Sequence, residues 1–154
     1  IQLDVERIEI INEFKMPFKF PNVEHLVPIS PGASAERWAS DILRPIGKSG
    51  IAQFVITNGS VIREDLKIQK GVKGIFSLEH SKRFEANVNV RLEIFKDQKK
   101  SVARASASRS QTLREDASPN LQSRLWYNLV ERLMESFNRE MRNQIDTHLR
   151  LFVS

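Results

Sequence analysis

The sequence predicts an α+β fold: a mainly antiparallel sheet of three or four strands, with one short helix and one long C-terminal helix packed on the same face. Three observations carry that expectation. In "RFEANVNVRLEIF", Phe84, Ala86, Val88, Val90, Leu92 and Ile94 share one parity, and Glu85, Asn87, Asn89, Arg91 and Glu93 share the other. A strand so patterned is covered on one side and wet on the other. In "SVARASASRSQTL", Ala103, Ala105 and Ala107 oppose Arg104, Ser106, Ser108 and Ser110, and such a row of small side chains lets a helix axis approach a sheet closely. Finally, Leu121, Leu125, Leu129, Val130, Leu133, Phe137, Met141, Ile145, Leu149 and Phe152 recur at spacings dominated by three and four, which is one helical stripe.

The elements follow in order. "LDVERIEII" has strand composition, but Leu3 and Val5 lie on one parity and Ile8 and Ile10 on the other. That change of phase predicts a bulge or burial on both faces. Prolines 17, 21, 28 and 31 then exclude a long helix or a central strand. The connection they punctuate carries Phe14, Phe18, Phe20, Leu26 and Val27. A loop that long and apolar is expected to pack on the body or to serve a function. Ser30 followed by Pro31 reads as an N-cap and a first helical residue. The stripe Ala35, Trp38, Ala39, Ile42 and Ile46 continues that helix until Pro45 and Gly47 stop it.

Residues 51–68 admit two readings. Asn58-Gly59 is a strong hairpin signal, yet Phe54, Ile56, Asn58, Ser60, Ile62 and Leu66 keep one parity across it. One long bulged strand is slightly favoured. Gln69–Lys82 reads as a polar, glycine-containing loop, and "KDQKK" (Lys96–Lys100) as a turn. Ser118 and Pro119 open the long helix, with Glu115 and Asp116 near its positive end. Running to about residue 151, it would extend roughly 50 Å, enough to cross the sheet of a chain this size.

The 154 residues fit a single domain. Hydrophobic residues at 40% and charged residues at 28% exclude a disordered chain. Apolar runs such as "FVI" at Phe54–Ile56 are far shorter than the roughly 20 residues of a membrane span. The absence of cysteine excludes disulfides and thiolate metal sites; a reducing compartment and a thiol-avoiding periplasmic protein fit equally.

Motifs for chemistry are few. His25, His80 and His148 fall in different elements without ligand-like spacing, so surface or capping roles are favoured over a metal. Glu64 and Asp65 are strand neighbours and point to opposite faces. Glu115 and Asp116 are explained by the helix start. Gly71 and Gly74 in "KGVKG" have the spacing of neither a P-loop nor a dinucleotide fingerprint. "SLEHS" lacks a nucleophile-elbow frame. Trp126-Tyr127 could stack on a ligand, but core packing with the Tyr hydroxyl at the rim is favoured. Neither an enzyme nor a cofactor is expected.

The net charge of +5 is local. Residues 1–80 hold 10 Lys/Arg and 10 Asp/Glu, and residues 114–154 hold 6 of each. The excess lies in 81–113, with 8 basic residues against 3 acidic. Basic strands that discourage edge pairing are the favoured explanation. The alternative is a cytoplasmic nucleic-acid-binding module whose candidate patch is Arg91, Lys96, Lys99, Lys100, Arg104 and Arg109. Against it, Phe84 and Phe95 are the hairpin's aromatics, and Phe84 belongs to the expected core, which leaves a poor base-stacking platform.

Several stretches resemble a group of alphaproteobacterial envelope lipoproteins: "DVERIEI", "PNVEHLVPISPGASAERWASDILRPIG", "AQFVITNGSVIREDL", "FEANVNVRLEIF", "ARASASRSQTLREDAS" and "LWYNLVERLMESFNREM". The pairing of "AERWASDILRPIG" with "WYNLVERLM" is the most specific part. The strand–helix–strands–long helix order is also similar to periplasmic accessory lipoproteins of the LptE and ABC-transport auxiliary type, in topology alone. The resemblance implies a non-catalytic periplasmic protein, lipid-anchored through a segment ahead of Ile1. Its implied partner is another envelope protein or a lipid-bearing molecule. It brings no catalytic signature.

Overall fold

In the computed structural model, described for residues 1–72 and 75–154 with side chains outside 68–78, the chain is α+β. Two helices lie against a mixed five-stranded sheet. The strands are β1 (Gln2–Leu3), β2 (Arg7–Asn12), β3 (Arg44–Pro45), β4 (Ile51–Asn58), β5 (Val61–Val72), β6 (Ile75–Lys96) and β7 (Lys99–Arg114); the helices are α1 (Pro31–Ile42) and α2 (Pro119–His148).

Strand β6 is the spine. β7 pairs with it antiparallel over an unbroken register from Ser81↔Arg114 to Lys96↔Lys99. Both β4 and β5 pair antiparallel with β6, over Ile51↔Phe95 to Asn58↔Asn89 and over Val61↔Ala86 to Val72↔Ile75. A strand has two edges, and β7 occupies one of them. Therefore β4 and β5 lie end to end along the other, as one long strand broken at Gly59-Ser60. The long-strand reading of 51–68 describes this better than a hairpin does, but not the conserved parity. A register shift between Ile56 and Asn58 hands the covered face from Phe54 and Ile56 to Val61, so Ile62, opposite Glu85, lies on the wet face. Gly59 is there for space. A Cβ on it would stand 2.9 Å from the backbone N of Gly32 at the start of α1.

Other expectations are corrected. The phase change in "LDVERIEII" separates two strands in two sheets. β1 pairs parallel with β3, whereas β2 pairs parallel with β4 through the α1 crossover. Leu3 and Val5 are fully buried. Helix α1 ends at Ile42, so Ile46 is off its stripe and 48% exposed. The polar loop expected at Gln69–Lys82 is instead strand, its two arms paired from Lys82 opposite Asp65 to Ile75 opposite Val72; Lys73 and Gly74 lie outside the described residues. Twelve-residue β5 and 22-residue β6 thus extend past the end of β7. The turn of "KDQKK" narrows to Asp97-Gln98, both at positive φ (52° and 60°), as a two-residue hairpin of the primed type requires.

The helices form where expected. Ser30 Oγ accepts from the Ala33 N–H, and Ser118 Oγ from the Leu121 N–H, each at 3.2 Å. Each serine thereby satisfies one orphan donor of a first turn. At 30 residues α2 spans about 45 Å. It runs antiparallel to β7: Arg109 donates to Ser136 Oγ and Arg132 to Gln111 Oε1. Leu129, Leu133, Phe137, Met141 and Ile145 are buried against Phe84, Ala86, Val88, Val90, Leu92 and Ile94. Ala103 and Ala105, also buried, bring α2 close. Leu121, assigned to the stripe, is 45% exposed; the buried residues of α2 begin at Trp126. Trp38 of α1 stacks on Phe54 and meets the edge of Phe137, and its indole N–H donates to Asn138.

Two substitutions test this packing. Phe137→Ala should cost about 3–5 kcal/mol, since it opens a cavity between α1, α2 and β4. Gly59→Ala should cost about 1–3 kcal/mol by forcing the strand break off α1. Urea unfolding followed by circular dichroism measures both; a shift under about 0.5 kcal/mol for either would contradict the packing described.

Candidate functional site

The connection between β2 and α1 is firmly attached yet shows apolar side chains to water. Its attachment is explicit. The Val23 N–H donates to the Val61 carbonyl, the Arg63 N–H to the Pro21 carbonyl, and Val23 and Val27 are buried. Glu24 beside them is fully buried; one carboxylate oxygen accepts from Asn22 Nδ2 at 2.9 Å, while Oε2 has no hydrogen-bond partner. Alternation cannot reveal that burial, since this stretch has no regular period.

On the outer side stand Phe18, Phe20, Leu26 and Ile29, between 41% and 68% exposed. The Phe18 ring lies 5.4 Å from that of His25, and the Arg63 guanidinium sits over Phe20. Ile29 and Ser34 share a shallow cleft with Tyr127, Val130, Glu131 and Met134 of α2. The Trp126-Tyr127 pair is therefore divided. Trp126 is core, edge-on to Phe84, whereas Tyr127 is half exposed at the cleft, not packed in the core as expected. Helical geometry explains the division, because adjacent residues point about 100° apart.

The six basic candidates are spread over two faces. Arg91 lies on the wet face between Glu13 (2.9 Å) and Glu93 (2.8 Å). The hydrogen bond to Glu13, ahead of that to Glu93, holds its guanidinium more firmly protonated than usual. Lys100 pairs with Glu93 at 3.3 Å and sits over the Phe95 ring. Lys96 reaches Asp4, 2.6 Å from its carboxylate, and pins the β6–β7 turn to the β1–β2 turn. Arg109 faces α2 through Ser136. Arg104 is exposed on the wet face and Lys99 lies at the turn; neither has an ion-pair partner among the described residues. A shallow depression joins Arg91 and Arg104 to Thr57, Asn89 and Ser106, with Glu93 in its wall.

The histidines lie apart. His25 is in the connection, exposed His80 is 3.9 Å from Glu115, and exposed His148 ends α2, where a cation suits the helix dipole. Among the described residues no three His, Asp or Glu side chains are gathered as a metal site would need, and no helix is long and apolar enough to cross a membrane. No family model matches the chain, and no curated protein matches it.

Elsewhere on the wet face, Glu9 accepts from Gln53 Nε2 at 2.9 Å and from Arg7 at 3.1 Å. The Gln53 bond first, then the Arg7 bond, holds its carboxyl below the ordinary range. A depressed carboxyl contributes stability above its unfolded-state value and loses it as pH falls through the folded one. Gln53→Leu should therefore move the Glu9 titration upward, as followed by NMR of its side-chain carbon; an unmoved midpoint would assign the shift elsewhere.

Proposed function

We propose that this protein is a non-catalytic binding or assembly module of the cell envelope, a transport accessory or holder working in the periplasm and anchored to a membrane by lipid. One observation carries the binding role: Phe18, Phe20, Leu26 and Ile29 stand in water on a connection whose backbone is fastened to β5. Large apolar side chains fixed outward on an anchored segment mark an interaction surface. Tyr127 extends it with a half-exposed ring, of a kind enriched at protein interfaces. The periplasmic, lipid-anchored setting rests on the resemblance of the segments from "DVERIEI" to "LWYNLVERLMESFNREM". The partner is another envelope protein or a lipid-bearing molecule.

The nucleic-acid alternative draws less support. Arg91, Lys96 and Lys100 are already paired with Glu13, Glu93 and Asp4, and Arg109 lies on the helix side. A phosphate backbone would have to displace those carboxylates to gain its usual counterion-release advantage.

In cells, the full-length protein should fractionate with membranes. A photo-crosslinking residue in place of Phe20 should then give one discrete adduct, absent after Phe18→Ser and absent from a control with the crosslinker at Thr57, an exposed position of β4 outside the connection. A freely soluble protein without an adduct would overturn the proposal. A mobility-shift complex with DNA or RNA, weakening steeply with salt, would favour the alternative.

A further inference from the structure

Strand β7 presents a second surface, distinct from the apolar connection. It pairs with β6 alone among the described strands, through a register free of bulges, and 99–114 contains no proline. The direction of its outer backbone groups follows from one hydrogen bond. The Asn87 N–H donates to the Ser60 carbonyl, on the β4–β5 side of β6. Its neighbours Ala86 and Val88 therefore point their N–H and C=O groups toward β7, where they meet Arg109 and Ala107. The residues between and beyond those, Ser106, Ser108 and Ser110, aim their N–H and C=O groups outward. All three are exposed, with small side chains on the wet face.

Edges of this kind are usually blunted by a bulge, a proline or a cover. Here the protection is charge alone. Residues 99–114 carry no acidic residue; Lys100 is paired with Glu93 and Arg114 with Glu79 and Asp116, which leaves Lys99, Arg104 and Arg109 without an ion-pair partner among the described residues. A second copy adding its own β7 would set basic against basic, and like charges opposite one another on neighbouring strands are unfavourable. An acidic strand meets the reverse situation, with exposed Arg104 unpaired among the described residues. We propose that the outer edge of β7 takes up an extended acidic segment of a partner protein as an added strand, with main-chain hydrogen bonds at Ser106, Ser108 and Ser110 supplying the affinity and the basic side chains the selection. This inference stands independently of the apolar connection and of the envelope setting.

The probe is a short end-blocked peptide alternating Glu and Val, followed by fluorescence anisotropy with the full protein. Binding is expected, with amide exchange slowed at Ser106, Ser108 and Ser110. Methylating the backbone nitrogens on one edge of the peptide should weaken it by about tenfold or more, because charge is kept while ladder donors are lost. Ser108→Pro removes only an outward-facing N–H, a change that edge strands tolerate, and should abolish binding while the circular dichroism spectrum is retained. If that variant fails to fold, the methylated peptide still decides. No binding, or equal binding of the methylated peptide, would overturn the proposal; so would self-association of the unmodified protein that Ser108→Pro abolishes.

Discussion

Everything in this molecule depends on a long amphipathic helix lying along the covered face of one very long strand. α2 alone cannot hide its stripe, and β6 alone cannot hide Phe84, Ala86, Val88, Val90, Leu92 and Ile94. Together they bury both sets. The seam is narrow because β7 contributes alanine where the helix axis crosses, and its centre is fixed by the aromatic triad of Trp38, Phe54 and Phe137. With α1 and α2 both on that side, the opposite face of the sheet is left to water. There, acidic and basic side chains neutralise one another locally, as in the Glu13–Arg91–Glu93–Lys100 series. Glu93 is buried and Arg91 partly so, so the series gives a buried carboxylate its counter-charges and leaves few uncommitted cations on a basic segment.

Features governed by a single local rule were legible in the sequence. Ser30-Pro31 and Ser118-Pro119 mark both helix starts to the residue, because cap chemistry is local. The alternation of 84–94 gives the covered face without error, because the strand period is two. Features set by distant partners were not. Nothing near Asn58-Gly59 shows that the glycine is needed to clear Gly32 of α1. The two phases of "LDVERIEII" belong to separate sheets because Arg44-Pro45 returns to pair with β1. Residues 69–72 read as loop on polar composition, yet they pair in register with β6, from Gln69 opposite Leu78 to Val72 opposite Ile75. The candidate basic patch shows the same limit at the level of the site: sequence groups six cations, but strand parity and the distant Asp4 and Glu13 decide which of them face solvent unpaired.

The two exposed surfaces differ in kind. The connection offers area: large apolar rings held out by a backbone that is itself tied down. The β7 edge offers direction, an ordered series of donors and acceptors whose spacing a partner chain can match. A molecule presenting both has the means to hold a partner by contact area in one place and by register in another.

The positions of the two tryptophans carry a practical consequence. Trp126 sits near the start of α2 against Phe84, and Trp38 lies beside Phe137 further along the same helix, with Asn138 taking its indole proton. The protein thus contains two optical gauges, one near the leading end of the rod and one towards its middle. Emission from each, isolated by replacing the other with phenylalanine, would report whether the rod lifts from the sheet all at once or peels away from its leading end.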